Sequence, residues 1–198
     1  VQLNPNDPEN HYQFGRLLFS EKQFSKAREI LEKGVLLREN HSPTHYELGR
    51  VLLAESKFAD AERSFSFAVE HENNNVIYML ALSDAQIAQK KYDLALETIG
   101  AAIKVNPENP VSIFAACKVY SKKRFYTIAI EHCEKALVLN PNGINLMNRL
   151  AWLYAKKSIK LELALELINK SIKVSPNRAD FIDTLSEVLF VQGNIIMA

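Results

Sequence analysis

The sequence predicts an all-α fold, a solenoid of stacked helical hairpins. Helix breakers are few, they recur at one interval, and small residues recur at the same interval between them. Six glycines and seven prolines in 198 residues are too few for the frequent turns of a β-sandwich. Pro107 and Pro141 lie 34 residues apart, each after Asn; Pro176 follows 35 residues on, and Pro5 precedes Pro107 by three periods. Gly15 and Gly49 are 34 apart, and the step continues to Ser83, Cys117 and Ala151. Ala27, Ala61, Ala95, Ala129 and Ala164 form a second small series; Gly34, Ala68, Ala102, Ala136 and Ser171 form a third. Aromatics keep the step at Phe24, Phe58, Tyr92 and Tyr126.

Between breakers, apolar residues recur at helical spacing, as in Leu17, Leu18 and then Ile30, Leu31. Each unit therefore reads as two helices, the aromatic opening the second and the small residues marking close backbone approach. Every proline falls at a junction, where it costs no helical hydrogen bond. The predicted helices are 8–20 and 24–37, 43–55 and 58–71, 76–89 and 92–105, 110–122 and 126–139, 144–157 and 161–174, then 178–191. Residues 1–7 read as the tail of a preceding repeat, because Leu3-Asn-Pro5 matches Leu139-Asn-Pro141. Five hairpins follow at 8–41, 42–75, 76–109, 110–143 and 144–178, and 179–198 begin a sixth, with Ala198 at its close-packing place. Repeat arrays need polar caps, and neither end shows one. The chain is therefore expected to be a piece of a longer array, with Ile195–Met197 an exposed edge able to pair with a second copy.

Leu48-Gly49, Leu52, Phe58, Ala61, Phe65 and Ala68 in the second unit follow one pattern with Tyr120, Tyr126, Ala129, Ala136 and Pro141 in the fourth. On these residues the chain resembles the tetratricopeptide repeat, whose helix–turn–helix unit also spans 34 residues. It departs in three ways: Glu39 and Asn73 replace junction prolines, the fifth unit carries one extra residue within 157–160, and the family's early Trp is missing. The resemblance implies a right-handed α-solenoid superhelix whose first helices line a concave groove for a protein or peptide segment. The pentatricopeptide repeat, which reads RNA, has a 35-residue period that fits only the fifth unit. No specific nucleic-acid partner is expected.

Composition narrows the function further. A net charge of +1 gives no global field for nucleic acid or a membrane surface, and no apolar run is long enough for membrane insertion. No cofactor is expected, because the glycines never cluster into a phosphate loop. His41 and His45 have the spacing of metal ligands, but Ser42-Pro43 interrupts the helix and no third ligand lies nearby, so no metal site is expected. His132 and Cys133 are adjacent and point about 100° apart on a helix, which argues against a catalytic pair. Cys117 and Cys133 stand at packing places and are expected as buried, inert thiols, neighbours within the fourth hairpin; a disulfide there is the alternative. Pairs such as Glu29 with Lys33 and Glu131 with Lys135 read as exposed helix surface. The chain is expected not to be an enzyme.

The candidate partner-binding residues follow from the resemblance. Successive first helices place Tyr12, Tyr46, Leu80, Phe114 and Asn148 along one stripe of the expected groove, and Arg16, Arg50, Asp84, Lys118 and Trp152 along the next. Aromatic and Arg side chains are the usual anchors of protein interfaces, so an extended segment with apolar and some acidic side chains would fit. Packing on neighbouring helices is the alternative use of Tyr12, Tyr46 and Phe114; covering the lengthened fifth turn is that of Trp152. Asp180, Asp183 and Glu187 reverse the charge toward the C-terminus. The carboxylate clamp of co-chaperone relatives is not matched: its places carry Tyr12, Arg16, Glu47, Ile77 and Ala81 in the first three units. A second cationic feature lies on the turns within the hairpins: Lys22, Lys57, Lys90, Lys91, Lys122, Lys123, Arg124, Lys156, Lys157 and Lys160. It serves helix dipoles and solubility, or docks an acidic protein, nucleic acid or anionic membrane. The expected function is a non-catalytic scaffold for protein binding and complex assembly. The alternatives are self-association through uncapped ends and a regulatory module of a larger, enzymatic protein. The sequence assigns no compartment.

Overall fold

A computed structural model describes residues 7–193, and the expectations placed on 1–6 and 194–198 lie outside them. Eleven α-helices and no strand occur among the described residues: α1 (Pro8–Ser20), α2 (Phe24–Leu37), α3 (Ser42–Ala54), α4 (Phe58–His71), α5 (Val76–Ala88), α6 (Tyr92–Val105), α7 (Pro110–Lys122), α8 (Tyr126–Leu139), α9 (Ile144–Lys157), α10 (Leu161–Val174) and α11 (Ala179–Val191). Every bound lies within one residue of the sequence expectation. The architecture is an all-α helical-repeat solenoid.

The junctions explain the bounds. Asn75 caps α5 by accepting from the Ile77 and Tyr78 amides, and Asn109 caps α7 by accepting from Val111 and Ser112. Proline opens α1, α3 and α7, where its missing donor costs nothing. Inside each helix pair, one residue of a three-residue turn adopts left-handed backbone: Lys22, Ser56, Lys90 and Arg124, again 34 apart. The fifth turn needs two, Ser158 and Lys160. The extra residue expected within 157–160 is taken up by α9, which runs 14 residues to Lys157 as expected and leaves a three-residue turn.

Two compact units divide between Asn106 and Pro107. In the first, Leu31, Val51, Ala61 and Phe65 are fully buried in one core. The small series does its packing work there: a Cβ added at Gly49 would lie 2.6 Å from Phe65 Cε1, and one added at Gly15 would collide with Leu31. The second unit buries Leu150, Leu153, Tyr154, Ile168 and Phe181. Cys117 and Cys133 occupy the places that Gly49 and Phe65 hold in the second hairpin, 16 residues apart in both. They are not free thiols. Their sulfurs are bonded, with Cα atoms 5.4 Å apart, because these two places face each other across the hairpin.

Candidate protein-binding face

In the first unit, three aromatic rings from α1, α3 and α5 meet other rings. Tyr12 stands edge-on to His41 at 5.5 Å, and Tyr46 stacks on Tyr78 at 4.8 Å while also reaching Phe65. Arg16 lies over the Tyr12 ring and Arg50 over Phe19, the latter at 4.3 Å. Between the arginines sits Glu47, whose side chain is only 5% exposed. Arg50 Nη1 donates to both Glu47 oxygens, at 2.9 and 3.2 Å, and Arg16 Nε approaches at 3.6 Å. Burial pushes the Glu47 carboxyl up, and the two arginines only partly offset this. Asp84, from α5, also acts on the Tyr46 ring, so two carboxylates and two guanidiniums share this face. Gln13, Arg16, Leu17, Phe19, Ser20 and Arg50 line an open depression beside it. Leu80 is half-buried, and Asp84 is exposed and engaged with neighbours.

In the second unit, Phe114 is half-buried against the core, with Lys118 Nζ over its ring at 5.7 Å. Trp152 meets Tyr126 edge-on at 5.8 Å, and its ring lies between the Arg149 and Lys156 cations. It thus packs on the first residue of α8. Asn148 is half-buried, with an Oδ1 atom that has no hydrogen-bond partner among the described residues. Burial lowers the Arg149 pKa, against the raising influence of Asp180. Asp180 is held by Arg178 Nε and Nη2 at 3.0 and 2.6 Å.

The candidate residues thus divide by use. Tyr12, Tyr46, Phe114 and Trp152 are shared between packing and an open face, whereas Arg16 and Asp84 are exposed. Glu47, Tyr78 and Arg149 were not among the candidate partner-binding residues. Their signal was a charged or aromatic residue beside the chosen stripes: Glu47 and Arg149 one position on, at the repeat place of Ala81 and Ala115, and Tyr78 two positions before Leu80. On the turns, Lys91 pairs with Glu62 at 2.6 Å and Lys156 with Glu187 at 2.8 Å, while Lys90, Lys122, Arg124 and Lys157 are exposed. Lys123 is half-buried with its ammonium over Phe125. His45 stacks on Phe67 at 3.9 Å and donates from Nε2 to the Glu39 carbonyl, and His41 Nδ1 meets the Thr44 hydroxyl at 2.6 Å. Their rings are occupied by local packing. His132 stacks on Tyr120.

Profiles of the tetratricopeptide repeat match residues 8–41 and 46–110, together half of the chain. The chain belongs to the tetratricopeptide repeat family. Its solved relatives share the fold at low identity. PilF of Pseudomonas aeruginosa superposes with a TM-score of 0.82 at 18% identity, covering 94% of this chain and 85% of that one. A tetratricopeptide repeat protein from Parabacteroides merdae gives 0.78 at 15%, covering 94% and 73%. YrrB, described as a tetratricopeptide repeat protein with an unusual peptide-binding site, gives 0.68 at 19%, covering 91% and 92%. No curated protein matches the chain in sequence. Tetratricopeptide repeats generally act as non-catalytic scaffolds for protein or peptide binding, and no helix among the described residues is long and apolar enough to cross a membrane.

Proposed function

We propose that this tetratricopeptide repeat chain is a non-catalytic scaffold that holds a segment of another protein against its first helices, helping to assemble a larger complex. The division into repeats at 8–41, 42–75, 76–109, 110–143 and 144–178 belongs to the same reading. The observation that carries it is the Arg16–Glu47–Arg50 arrangement in the first unit. Two guanidiniums are held on aromatic rings and oriented by one buried carboxylate, so donors and positive charge are organised before a ligand arrives. An acidic side chain of the bound segment would pair with the exposed Arg16, with apolar side chains resting on Tyr12 and Tyr46. The peptide-binding site attributed to YrrB supports the reading by analogy of fold.

The test is a pull-down from native extract with wild type and an Arg16→Ala, Arg50→Ala variant. Removing both arginines leaves the buried Glu47 carboxylate without its partners, so the variant is first checked for unchanged helicity and melting temperature. A partner captured by wild type and lost by the variant supports the reading. Identical capture by both removes the first-unit face from it.

A further inference from the structure

In the second unit, the α7–α8 and α9–α10 turns and the helix starts that follow them carry four exposed apolar side chains at one edge: Phe125 (51%) and Ile159 (39%) in the turns, Ile128 (40%) in α8 and Leu163 (40%) in α10. The repeat supplies its own control. At the place of Phe125 the other hairpins carry Gln23, Lys57, Lys91 and Lys160, all polar. At the place of Ile128 the first two carry Lys26 and Asp60. Hairpin formation therefore does not require an aromatic residue at 125, and packing does not hide it. Ile128 and Leu163 stand at equivalent places of consecutive hairpins, so they share a face.

Cations surround these side chains. Glu187 takes Lys156 at 2.8 Å and Glu134 takes Lys160 at 2.6 Å. No ion pair among the described residues engages Lys122, Arg124 or Lys157. Arg124, Phe125, Ile128 and Lys157 line one open depression, so the two turns are contiguous. Left-handed backbone at Arg124, Ser158 and Lys160 turns the chain sharply beside Phe125 and Ile159, about one helical turn before Ile128 and Leu163.

We propose that this edge docks peripherally on an anionic lipid surface. Phe125, Ile128, Ile159 and Leu163 would enter the headgroup boundary, while Lys122, Arg124 and Lys157 reach the lipid phosphates on their apolar stems. The shape favours lipid over an acidic protein: apolar groups at protruding turns suit a flat, deformable surface, whereas a protein would need a matching concavity. This use of the basic edge is independent of the first-helix face.

Co-sedimentation of the whole chain with vesicles tests it, comparing phosphatidylcholine alone with phosphatidylcholine mixed with phosphatidylglycerol. Two variants, each checked for unchanged helicity, separate the contributions: Phe125→Ser with Ile128→Ser, and Lys122→Ala with Arg124→Ala and Lys157→Ala. Wild type should pellet with the anionic vesicles only. The charge variant should bind roughly 100-fold more weakly, and the apolar variant at least about tenfold. Failure of wild type to bind anionic vesicles overturns the proposal and leaves an acidic protein as the partner of this edge. Undiminished binding by either variant overturns it as well.

Discussion

Arg50 donates to Glu47 at 2.9 Å on a side chain that is 5% exposed, which makes Glu47 a buried carboxylate on the candidate face of the first unit. Burial holds its folded-state pKa above the ordinary glutamate value, with Arg50 and Arg16 opposing. The folded protein therefore binds this proton more tightly than the unfolded chain. The stability it contributes is present at low pH and lost as pH rises through the folded pKa. Glu47→Gln, which mimics the protonated form, should melt near wild type in acid, rise above it as pH climbs from the ordinary glutamate pKa through the higher folded one, and then keep a constant margin. Thermal melts followed by circular dichroism across pH check this; an offset constant from acid upward would contradict it.

Two glycines should respond oppositely to alanine. A Cβ at Gly49 lies 2.6 Å from the fully buried Phe65 ring, whereas nothing lies within 4 Å of one at Gly100. Gly49→Ala should lose about 1–2 kcal/mol, overpacking outweighing the helix-propensity gain. Gly100→Ala should gain up to about 1 kcal/mol. Denaturant midpoints of the two variants give the signs directly.

The Cys117–Cys133 bond closes a short loop, with a sequence separation of 16. Reducing it should cost about 3 kcal/mol, chiefly by freeing the unfolded chain. Cys117→Ala with Cys133→Ile rebuilds the Ala151 and Ile168 pairing of the fifth hairpin. That variant should keep its melting temperature when a reductant is added, while wild type loses several degrees. Equal sensitivity to reductant in both proteins would show that the bond is not the source.

Packing and binding separate at the first-unit face. Tyr46→Ala removes a ring held against Tyr78 and Phe65 and should cost about 1–3 kcal/mol. Arg16→Ala, at an exposed position, should stay within about 0.5 kcal/mol of wild type. Urea unfolding of both single variants decides whether loss of a partner by a Tyr46 variant reports binding or unfolding.

Helix positions were legible in the sequence because they depend on local, periodic features. Apolar spacing, small residues and prolines set eleven helices within one residue of their observed bounds. Even the fifth unit's extra residue was visible, and the expected helix 144–157 already held it. Which side chains meet across helices is a different kind of fact. Cys117 and Cys133 occupy the places where Gly49 and Phe65 meet in the second hairpin, so comparison between repeats carried the signal for the bond. Proximity alone, however, does not distinguish two packed thiols from a disulfide, whose sulfurs need one specific approach.

The candidate face shows the same boundary. The sequence alone determined the fold class, the helices and the stripes on which Tyr12, Arg16, Tyr46 and Arg50 stand, since a fixed repeat carries each position to the same helix face. Tertiary structure decided that Tyr46 spends its ring on Tyr78, that Glu47 is buried between two arginines and that Phe125 is left in solvent. Charge, ring geometry and exposure depend on neighbours 30 or more residues away in sequence, and a local pattern does not encode how far apart those neighbours come to rest.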